Sequence, residues 1–199
     1  MTEIELKAHV YNREELLQKL NTFAEFKKTV IKNDTYYRLD LDKPVKGSEH
    51  ISARIRIETE QKPEKTEEKI FLTYKRKEVR TAANGLNTEV NDEKESLISD
   101  AEAVITLLSD IGFKEALKKK KTVSVYTCPT QHGEATLELC LVEPLGWFLE
   151  IEILSPETDS ATVEEVQKEL KKLLSKSGIP EKDIETRYYS ELLKTCNNS

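Results

Sequence analysis

The sequence has few of the residues that build disulfide frameworks or zinc sites. Its 199 residues include three cysteines, none spaced as CxxC, so neither kind of site is indicated. The three histidines are scattered without neighbouring ligands at metal-site spacing, and we interpret them as surface or structural residues. The N-terminus lacks the apolar run of a signal peptide, and no segment approaches ~20 consecutive apolar residues. These absences predict a reduced, cytoplasmic protein that does not associate with membranes.

Apolar residues are also scarce for a chain of this length. The composition is 37% hydrophobic and 34% charged, which predicts either a disordered tail or charges that line an internal cavity. No low-complexity run supports a tail, so we favour the cavity. The net charge of −6 argues against a non-specific nucleic-acid binder. The basic residues are therefore expected to be concentrated locally.

The first stretch of the chain has the alternation of a β-strand. Glu3, Glu5 and Lys7 share one face, and Ile4 and Leu6 share the other. A half-buried strand would place the apolar face against a core and the charged face in water. Taken alone, this stretch therefore predicts only a half-buried strand.

Like charges recur at strand spacing along the whole chain. The further stretches are Arg54 with Arg56, Thr73 with Lys75 and Lys77, Glu93 with Glu95, Lys119 with Lys121, and Glu150 with Glu152. Any one of them is typical of a solvated antiparallel face, and an unrelated α+β protein with such faces is one alternative. Crowded like charges are costly without counter-charges or ions between them, so the recurrence of both signs favours a closed sheet with these residues inside.

Such a set of side chains suits a particular chemistry. Carboxylate oxygens are the ligands that Mg²⁺ and Mn²⁺ prefer, and these metals usually share their coordination with substrate phosphates. Arginine binds phosphate through paired hydrogen bonds and lysine binds it as a point charge. The pattern therefore predicts a metal-assisted reaction at a phosphate group.

The order of predicted elements indicates an antiparallel α+β fold. Helices are expected at residues 12–20, 101–110 and 160–177, with a short helix near 190–193. Strands occupy most of the remainder, including two separate strands at 26–31 and 35–39. Strands and helices do not alternate one for one, which argues against a doubly wound parallel sheet.

The motifs, taken in order, resemble the CYTH or triphosphate tunnel metalloenzyme superfamily nearly end to end. The matching segments are Glu3-x-Glu5-x-Lys7, Asp34-Thr35-Tyr36-Tyr37, Arg54-Ile55-Arg56, Thr73-Tyr74-Lys75, Glu93-x-Glu95, the strand from Leu145 to Glu152, and the tail from Tyr188 to Leu193. The resemblance implies a single CYTH domain over residues 1–199. It also implies a closed eight-stranded antiparallel β-barrel with flanking helices, whose bore is a tunnel for a triphosphate.

The resemblance further implies a role for each charged residue. Catalysis would involve Glu3, Glu5, Lys7, Glu150 and Glu152, of which the four glutamates would hold Mg²⁺ or Mn²⁺. Phosphate would be bound by Lys7, Arg54, Arg56, Lys75, Lys119 and Lys121. Further carboxylates that could line the tunnel are Glu93, Glu95 and Glu138.

Some positions depart from the family pattern. Cys140 stands where an aspartate is usual, and Glu138, two residues earlier on the same face, is the candidate replacement. Asn91 stands at a place that is often arginine. The run of four lysines from Lys118 to Lys121 leaves open which two of them face the site.

Among the branches of the superfamily, the sequence is most similar to the class IV adenylyl cyclases. That resemblance implies conversion of ATP to cyclic AMP and pyrophosphate by a homodimer. An inorganic triphosphatase or a thiamine triphosphatase is the alternative, because the positions of Cys140 and Asn91 differ from the pattern. A non-catalytic binder of polyphosphate or nucleotide is a third hypothesis, which the intact glutamate pairs disfavour.

Overall fold

The computed structural model describes residues 2–39, 51–62, 64–81, 87–155 and 160–197, and in them the chain forms eight strands and four α-helices. In chain order these are β1 (Thr2–His9), α1 (Arg13–Leu20), β2 (Glu25–Leu39), β3 (Ile51–Gln61), β4 (Thr66–Thr81), β5 (Asn87–Ile98), α2 (Glu102–Asp110), β6 (Phe113–Thr130), β7 (Gly133–Glu143), β8 (Gly146–Ser155), α3 (Ser160–Lys176), a 3₁₀ turn (Glu181–Asp183) and α4 (Tyr189–Asn197). The helix positions confirm the sequence prediction. None of the described helices is long and apolar enough to cross a membrane.

The strand β2 differs from the prediction of two shorter strands. It is continuous over Glu25–Leu39. Lys32 and Asp34, which interrupt the apolar pattern, are both buried, like Val30 on the same side of the strand. A polar residue on the inward side of a strand weakens its hydrophobic signal without breaking its backbone pairing, so the sequence pattern suggested a break where none exists.

The strands form one antiparallel sheet, and the α+β class is confirmed. Their order is β1-β8-β7-β6-β2-β3-β4-β5, which is linear, with β1 and β5 as the two edges in the described part of the chain. The predicted closure into an eight-stranded barrel is therefore wrong.

The reason lies in how the charges are neutralised. Closure was expected because like charges on one face need counter-charges between them. In the structure, neighbouring strands of the open sheet provide them: Arg54 pairs opposite Thr73 and forms an ion pair with Glu95, and Lys7 pairs opposite Glu150. Charge alternation of both signs thus does not require a closed sheet.

By its internal contacts the chain divides into two compact units, and the first comprises Met1–Val30 with Lys121–Ser199. In it, α1 and α3 cover the apolar face of β1, β7 and β8. The buried side chains of this core include Ile4, Ala8, Leu16, Leu20, Leu137, Leu139, Leu149, Ile151, Ile153, Val166, Leu170 and Leu174. Because side chains alternate along a strand, the charged residues of the same strands lie on the opposite face.

The second unit, Ile31–Lys120, repeats this arrangement on a smaller scale. Leu108 of α2 is buried with Tyr37, Ala53 and Ile55 of the strands. Arg54 and Arg56 alternate with these apolar residues and so point to the other side of β3. Each unit therefore has one sheet face covered by helix and one face rich in charge.

Local sequence signals explain where α1 begins and where the chain turns between β7 and β8. The Asn12 side chain accepts a hydrogen bond from the Glu15 backbone N–H at 3.2 Å and caps α1, as predicted. At the β7–β8 turn Gly146 has φ +97°, a conformation that residues with a Cβ rarely adopt. This turn sets the register that places Glu138 opposite Glu150.

Candidate functional site

In the first unit, strand register brings the predicted acidic residues together on one sheet face. Glu5 lies opposite Glu152, and Glu150 lies opposite Lys7 on one side and Glu138 on the other. Residues directly opposite in antiparallel strands share a face, with Cβ atoms about 5 Å apart. We define the acidic cluster as Glu3, Glu5, Glu138, Glu150 and Glu152.

The carboxyl groups of this cluster are held close to one another. Burial, followed by the charge of Glu3 and a hydrogen bond with it, raises the pKa of Glu152 to about 8. Burial and then the charges of Glu150 and Glu3 raise the pKa of Glu5. Two carboxyl groups share a hydrogen bond only when one of them carries a proton. The acidic cluster thus holds more negative charge than its surroundings neutralise.

Such a cluster fits a divalent metal ion. Carboxylate oxygens are the hard ligands that Mg²⁺ and Mn²⁺ prefer, and a doubly charged cation would remove the repulsion between Glu3, Glu5 and Glu152. Deprotonation of these groups is the condition for binding a metal, so protons and metal compete for them.

A second group of possible metal ligands already surrounds the ammonium of a lysine. Atoms of Glu138, Cys140 and Glu150 lie within 4.8 Å of one another, a spacing that could hold a metal. The ammonium of Lys121 lies among them, 2.7 Å from Glu150, 3.3 Å from Glu138 and 3.8 Å from the Cys140 sulfur. Burial alone would lower the pKa of Lys121, but the charges of Cys140, Glu150 and Glu138 raise it above its usual range. In the structure the lysine ammonium therefore occupies this position.

Two contacts from the C-terminal segment reach the same face. The Tyr189 hydroxyl donates to Glu150 Oε1 at 2.6 Å. Lys7 Nζ lies 4.2 Å from the centre of the Tyr189 ring and donates to the Arg187 carbonyl at 2.6 Å. The predicted residue Lys7 is thus held by residues more than half the chain away.

In the second unit, a buried aspartate organises two of the predicted phosphate-binding residues. The side chain of Asp34 is fully buried and accepts from Arg56 Nε at 2.7 Å and Nη2 at 3.0 Å. Lys119 Nζ lies 3.0 Å from the same carboxylate and 3.2 Å from the Tyr36 hydroxyl. Burial alone would raise the pKa of Asp34, but the hydrogen bonds from Arg56 and the charge of Lys119 outweigh it and hold that pKa well below its usual range.

Arg54 belongs to a neighbouring network on the same side of β3. It donates through Nη2 to Thr73 Oγ1 at 2.9 Å and to Glu95 Oε2 at 3.0 Å, and Thr73 donates to Glu95 at 2.7 Å. Glu95, predicted as a possible tunnel carboxylate, is therefore a partner of an arginine. We define the basic cluster as Asp34, Tyr36, Arg54, Arg56, Thr73, Glu95 and Lys119.

The structure also locates the predicted lysine run and Lys75, and it describes the backbone of Glu93. Lys119 and Lys121 are buried while Lys118 and Lys120 are exposed, which settles the register of the lysine run. Lys75 pairs opposite Ser52 and Glu93. The side chain of Glu93 lies outside the described part of the structure.

The sequence prediction missed four residues that contact the predicted ones: Asp34, Tyr36, Thr73 and Tyr189. All four occur inside motifs that carry the family resemblance, and this was the one signal available for them. Their polar partners lie on other strands or on α4, so spacing along the chain could not reveal the contacts.

Comparisons with known proteins agree on one family. The model of the CYTH domain matches residues 1–189. A solved protein of Pyrococcus horikoshii is similar at 30% identity and a TM-score of 0.73, over 98% of this chain and 99% of that one. A conserved hypothetical protein of Pyrococcus furiosus is 29% identical, with a TM-score of 0.64 over 96% and 99% of the two chains.

A more distant structure shares the fold alone. It is a protein of Vibrio parahaemolyticus described as a "putative adenylate cyclase", 18% identical, with a TM-score of 0.70 over 96% of this chain and 97% of that one. No curated protein matches the chain in sequence.

Proposed function

Because the chain belongs to the CYTH domain family, we propose that it is a divalent-metal-dependent enzyme acting on a triphosphate, with ATP as the substrate and cyclic AMP and pyrophosphate as the products. The acidic cluster is the observation that carries this proposal. Burial, and after it the charges of neighbouring carboxylates, raise the pKa of Glu5 and Glu152. A site that holds unneutralised negative charge is suited to a cation that arrives with the substrate.

The side chains divide between metal and phosphate. Glu3, Glu5, Glu150 and Glu152 would hold Mg²⁺ or Mn²⁺, which supplies positive charge to stabilise the negative charge that develops on phosphate oxygens. The proposed phosphate-binding residues are Lys7, Arg54, Arg56, Lys75 and Lys119. An arginine has five N–H donors and can bind a carboxylate and a phosphate together. We assign Lys121 instead to holding Glu150, its partner at 2.7 Å.

Cyclisation would require little beyond orientation and one proton acceptor. The ribose 3′ oxygen would form a bond to the α-phosphorus while the bond to the pyrophosphate oxygen breaks, and the hydroxyl proton would pass to a carboxylate. The similarity in fold to the Vibrio protein described as a "putative adenylate cyclase" supports this choice of reaction.

Hydrolysis of a triphosphate is the second candidate. The same carboxylate could take a proton from water instead of from a ribose hydroxyl, and this chemistry would suit inorganic triphosphate or thiamine triphosphate. The two reactions differ in their products, which makes them separable by one assay.

That assay would incubate the purified protein with ATP, thiamine triphosphate or inorganic triphosphate, each with Mg²⁺ or Mn²⁺, and separate the products by chromatography. We expect cyclic AMP and pyrophosphate from ATP, lost in Glu5→Gln and retained in the control Glu14→Gln on the exposed side of α1. Orthophosphate without cyclic AMP would identify a hydrolase. Tight triphosphate binding without any product would leave a binding protein.

The remaining features of the proposal concern the molecule in the cell. We propose a single CYTH domain over residues 1–199 that works in the cytoplasm as a homodimer and binds neither nucleic acid nor membrane. Sedimentation equilibrium of the purified protein tests the dimer, and a monomer at micromolar concentration would contradict it.

A further inference from the structure

Tyr189, the first residue of α4, touches two of the proposed site residues at once. Its hydroxyl donates to Glu150 Oε1 at 2.6 Å, and its ring lies beneath the ammonium of Lys7 at 4.2 Å. One side chain therefore contacts both a proposed metal ligand and a proposed phosphate-binding residue.

The bond to Glu150 fixes the orientation of that carboxylate. Its other oxygen, Oε2, accepts from Lys121 at 2.7 Å, so donors hold both oxygens. A bond of this length to an ionised carboxylate is a strong, charge-assisted hydrogen bond. Because an ionised carboxylate has no hydrogen to donate, the tyrosine hydroxyl is the donor in this pair.

The contact with Lys7 limits where its ammonium can lie. Nζ is held between the face of the tyrosine ring and the Arg187 carbonyl, to which it donates at 2.6 Å. A cation over an aromatic face is attracted by the negative charge on the face of the ring. The ring thus selects one of several positions open to a flexible lysine.

Tyr189 is itself rigidly placed. Its ring packs edge-on against the fully buried Phe148, with centroids 5.1 Å apart. Leu192, one turn further along α4, is buried with Val123 and Val142. An anchored aromatic ring can hold its neighbours in fixed geometry, whereas a mobile one cannot.

We propose that Tyr189 is a positioning residue that sets the side chains of Glu150 and Lys7 for the reaction. The inference rests on the proposed function for its catalytic consequence, but the contacts themselves can be tested without any substrate. A residue that only filled space would need the ring and not the hydroxyl, so the two parts of the side chain can be examined separately.

Two substitutions make this separation. Tyr189→Phe keeps the ring and removes the donor to Glu150, so we expect kcat to fall about tenfold while KM changes less than twofold. Tyr189→Leu also removes the ring, so KM and the Kd for tripolyphosphate should rise about threefold in addition. Tyr188→Phe, at an exposed neighbouring tyrosine, is the matched control and should match the wild type.

A readout on the metal-free protein distinguishes failure of this proposal from failure of the proposed function. We expect the Tyr189 ring to shift the NMR signals of the Lys7 side chain upfield; this shift should persist in Tyr189→Phe and disappear in Tyr189→Leu. The Glu150 carboxyl carbon signal should move in Tyr189→Phe but not in Tyr188→Phe.

Unchanged NMR signals in both variants, or wild-type kcat in Tyr189→Phe, would overturn the positioning role. A lower melting temperature together with lower activity per folded molecule, without the separate effects on kcat and KM, would also overturn the positioning role. Tyr189 would then have only a packing role. Absence of any product from the wild type, with the NMR contacts present, would overturn the proposed function and with it the catalytic consequence for Tyr189.

Discussion

The pKa values of two carboxyl groups, one in each charged cluster, shift in opposite directions. In the basic cluster, the pKa of Asp34 lies well below its usual range because Arg56 and Lys119 outweigh the effect of burial. In the acidic cluster, burial and neighbouring carboxylates raise the pKa of Glu152 to about 8. Both groups lie on antiparallel strands of the same sheet, so the backbone does not cause the difference. The difference comes from the neighbouring charges, because cations adjoin Asp34 whereas carboxylates adjoin Glu152.

This contrast predicts that Asp34 stabilises the fold and that Glu152, under the proposed function, binds a ligand. Asp34 gains stability from its partners in the folded chain, whereas Glu152 is a stable ion only when something positive joins it. Residues of the first kind should be costly to remove, and residues of the second kind should be costly only to activity. The following substitutions test that division.

The largest expected effect on stability is at Asp34. Asp34→Ala leaves Arg56 and Lys119 without their shared carboxylate, and breaking a buried ion pair from one side typically costs about 3–5 kcal/mol. Urea unfolding would measure the loss, with Glu64→Ala, an exposed acidic residue of the same unit, as the control. Equal midpoints for the two variants would show that the basic cluster contributes little to folding.

Glu152→Gln should raise the stability of the fold, whereas Asp34→Ala should lower it. The neutral amide removes repulsion in the acidic cluster, so the protein in chelator at pH 8 should unfold at a higher urea concentration than the wild type. Activity with metal should fall about 100-fold, the usual scale for loss of one group that stabilises transition-state charge. Glu134→Gln, exposed in the same unit, is the control. A destabilised Glu152→Gln would contradict our view of this residue.

The pH dependence of stability should also show the effect of the Glu152 carboxyl group. Its folded pKa of about 8 exceeds its ordinary value of 4.5, so the folded chain binds the extra proton between these values. Stability in chelator should therefore decline as pH rises from about 5 to 8, by less than about 1.4 kcal/mol per pH unit because water screens the site.

Saturating Mn²⁺ should flatten this decline, and Glu152→Gln should reduce it. Asp34 has the opposite sign and a different window: its contribution is present above pH 3.8, the ordinary pKa, and is lost at lower pH. Stability that rises between pH 5 and 8 in chelator would contradict the assignment for Glu152.

The smallest effect is expected at Thr73, whose hydroxyl joins Arg54 to Glu95. Thr73→Val keeps the shape and removes the hydroxyl, which should cost about 1 kcal/mol of unfolding free energy. Calorimetry would measure the change against Thr66→Val, an exposed position at the start of the same strand. Identical melting temperatures would indicate that Arg54 and Glu95 need no third partner.

Much of the secondary structure was predictable because it follows from local rules. The alternation in β1 and β8 predicted which side chains share a face, and Asn12 marked the start of α1. The register of Glu5 against Glu152 is not contained in either strand alone. It follows from the β7–β8 turn and from the pairing of the first strand with the eighth.

The errors have a physical origin as well. Charge alternation along a strand predicts that the charged side chains need counter-charges. It does not predict whether a neighbouring strand or a closed barrel provides them, and here neighbouring strands do. The contact of Tyr189 with Lys7 joins opposite ends of the sequence through packing of α4 on the sheet. No rule of spacing along the chain can predict such a contact.

The attachment of the C-terminal segment to β1 also has a consequence for synthesis. The Glu185 backbone N–H donates to the Lys7 carbonyl at 2.8 Å, and Ala8 forms a bridge with Ile184. During translation, β1 leaves the ribosome first, while its partners β8 and the segment from residue 184 to 189 leave much later. The acidic cluster, whose last member Glu152 lies on β8, therefore cannot assemble until β8 has left the ribosome, and the contacts of residues 184–189 with β1 form later still.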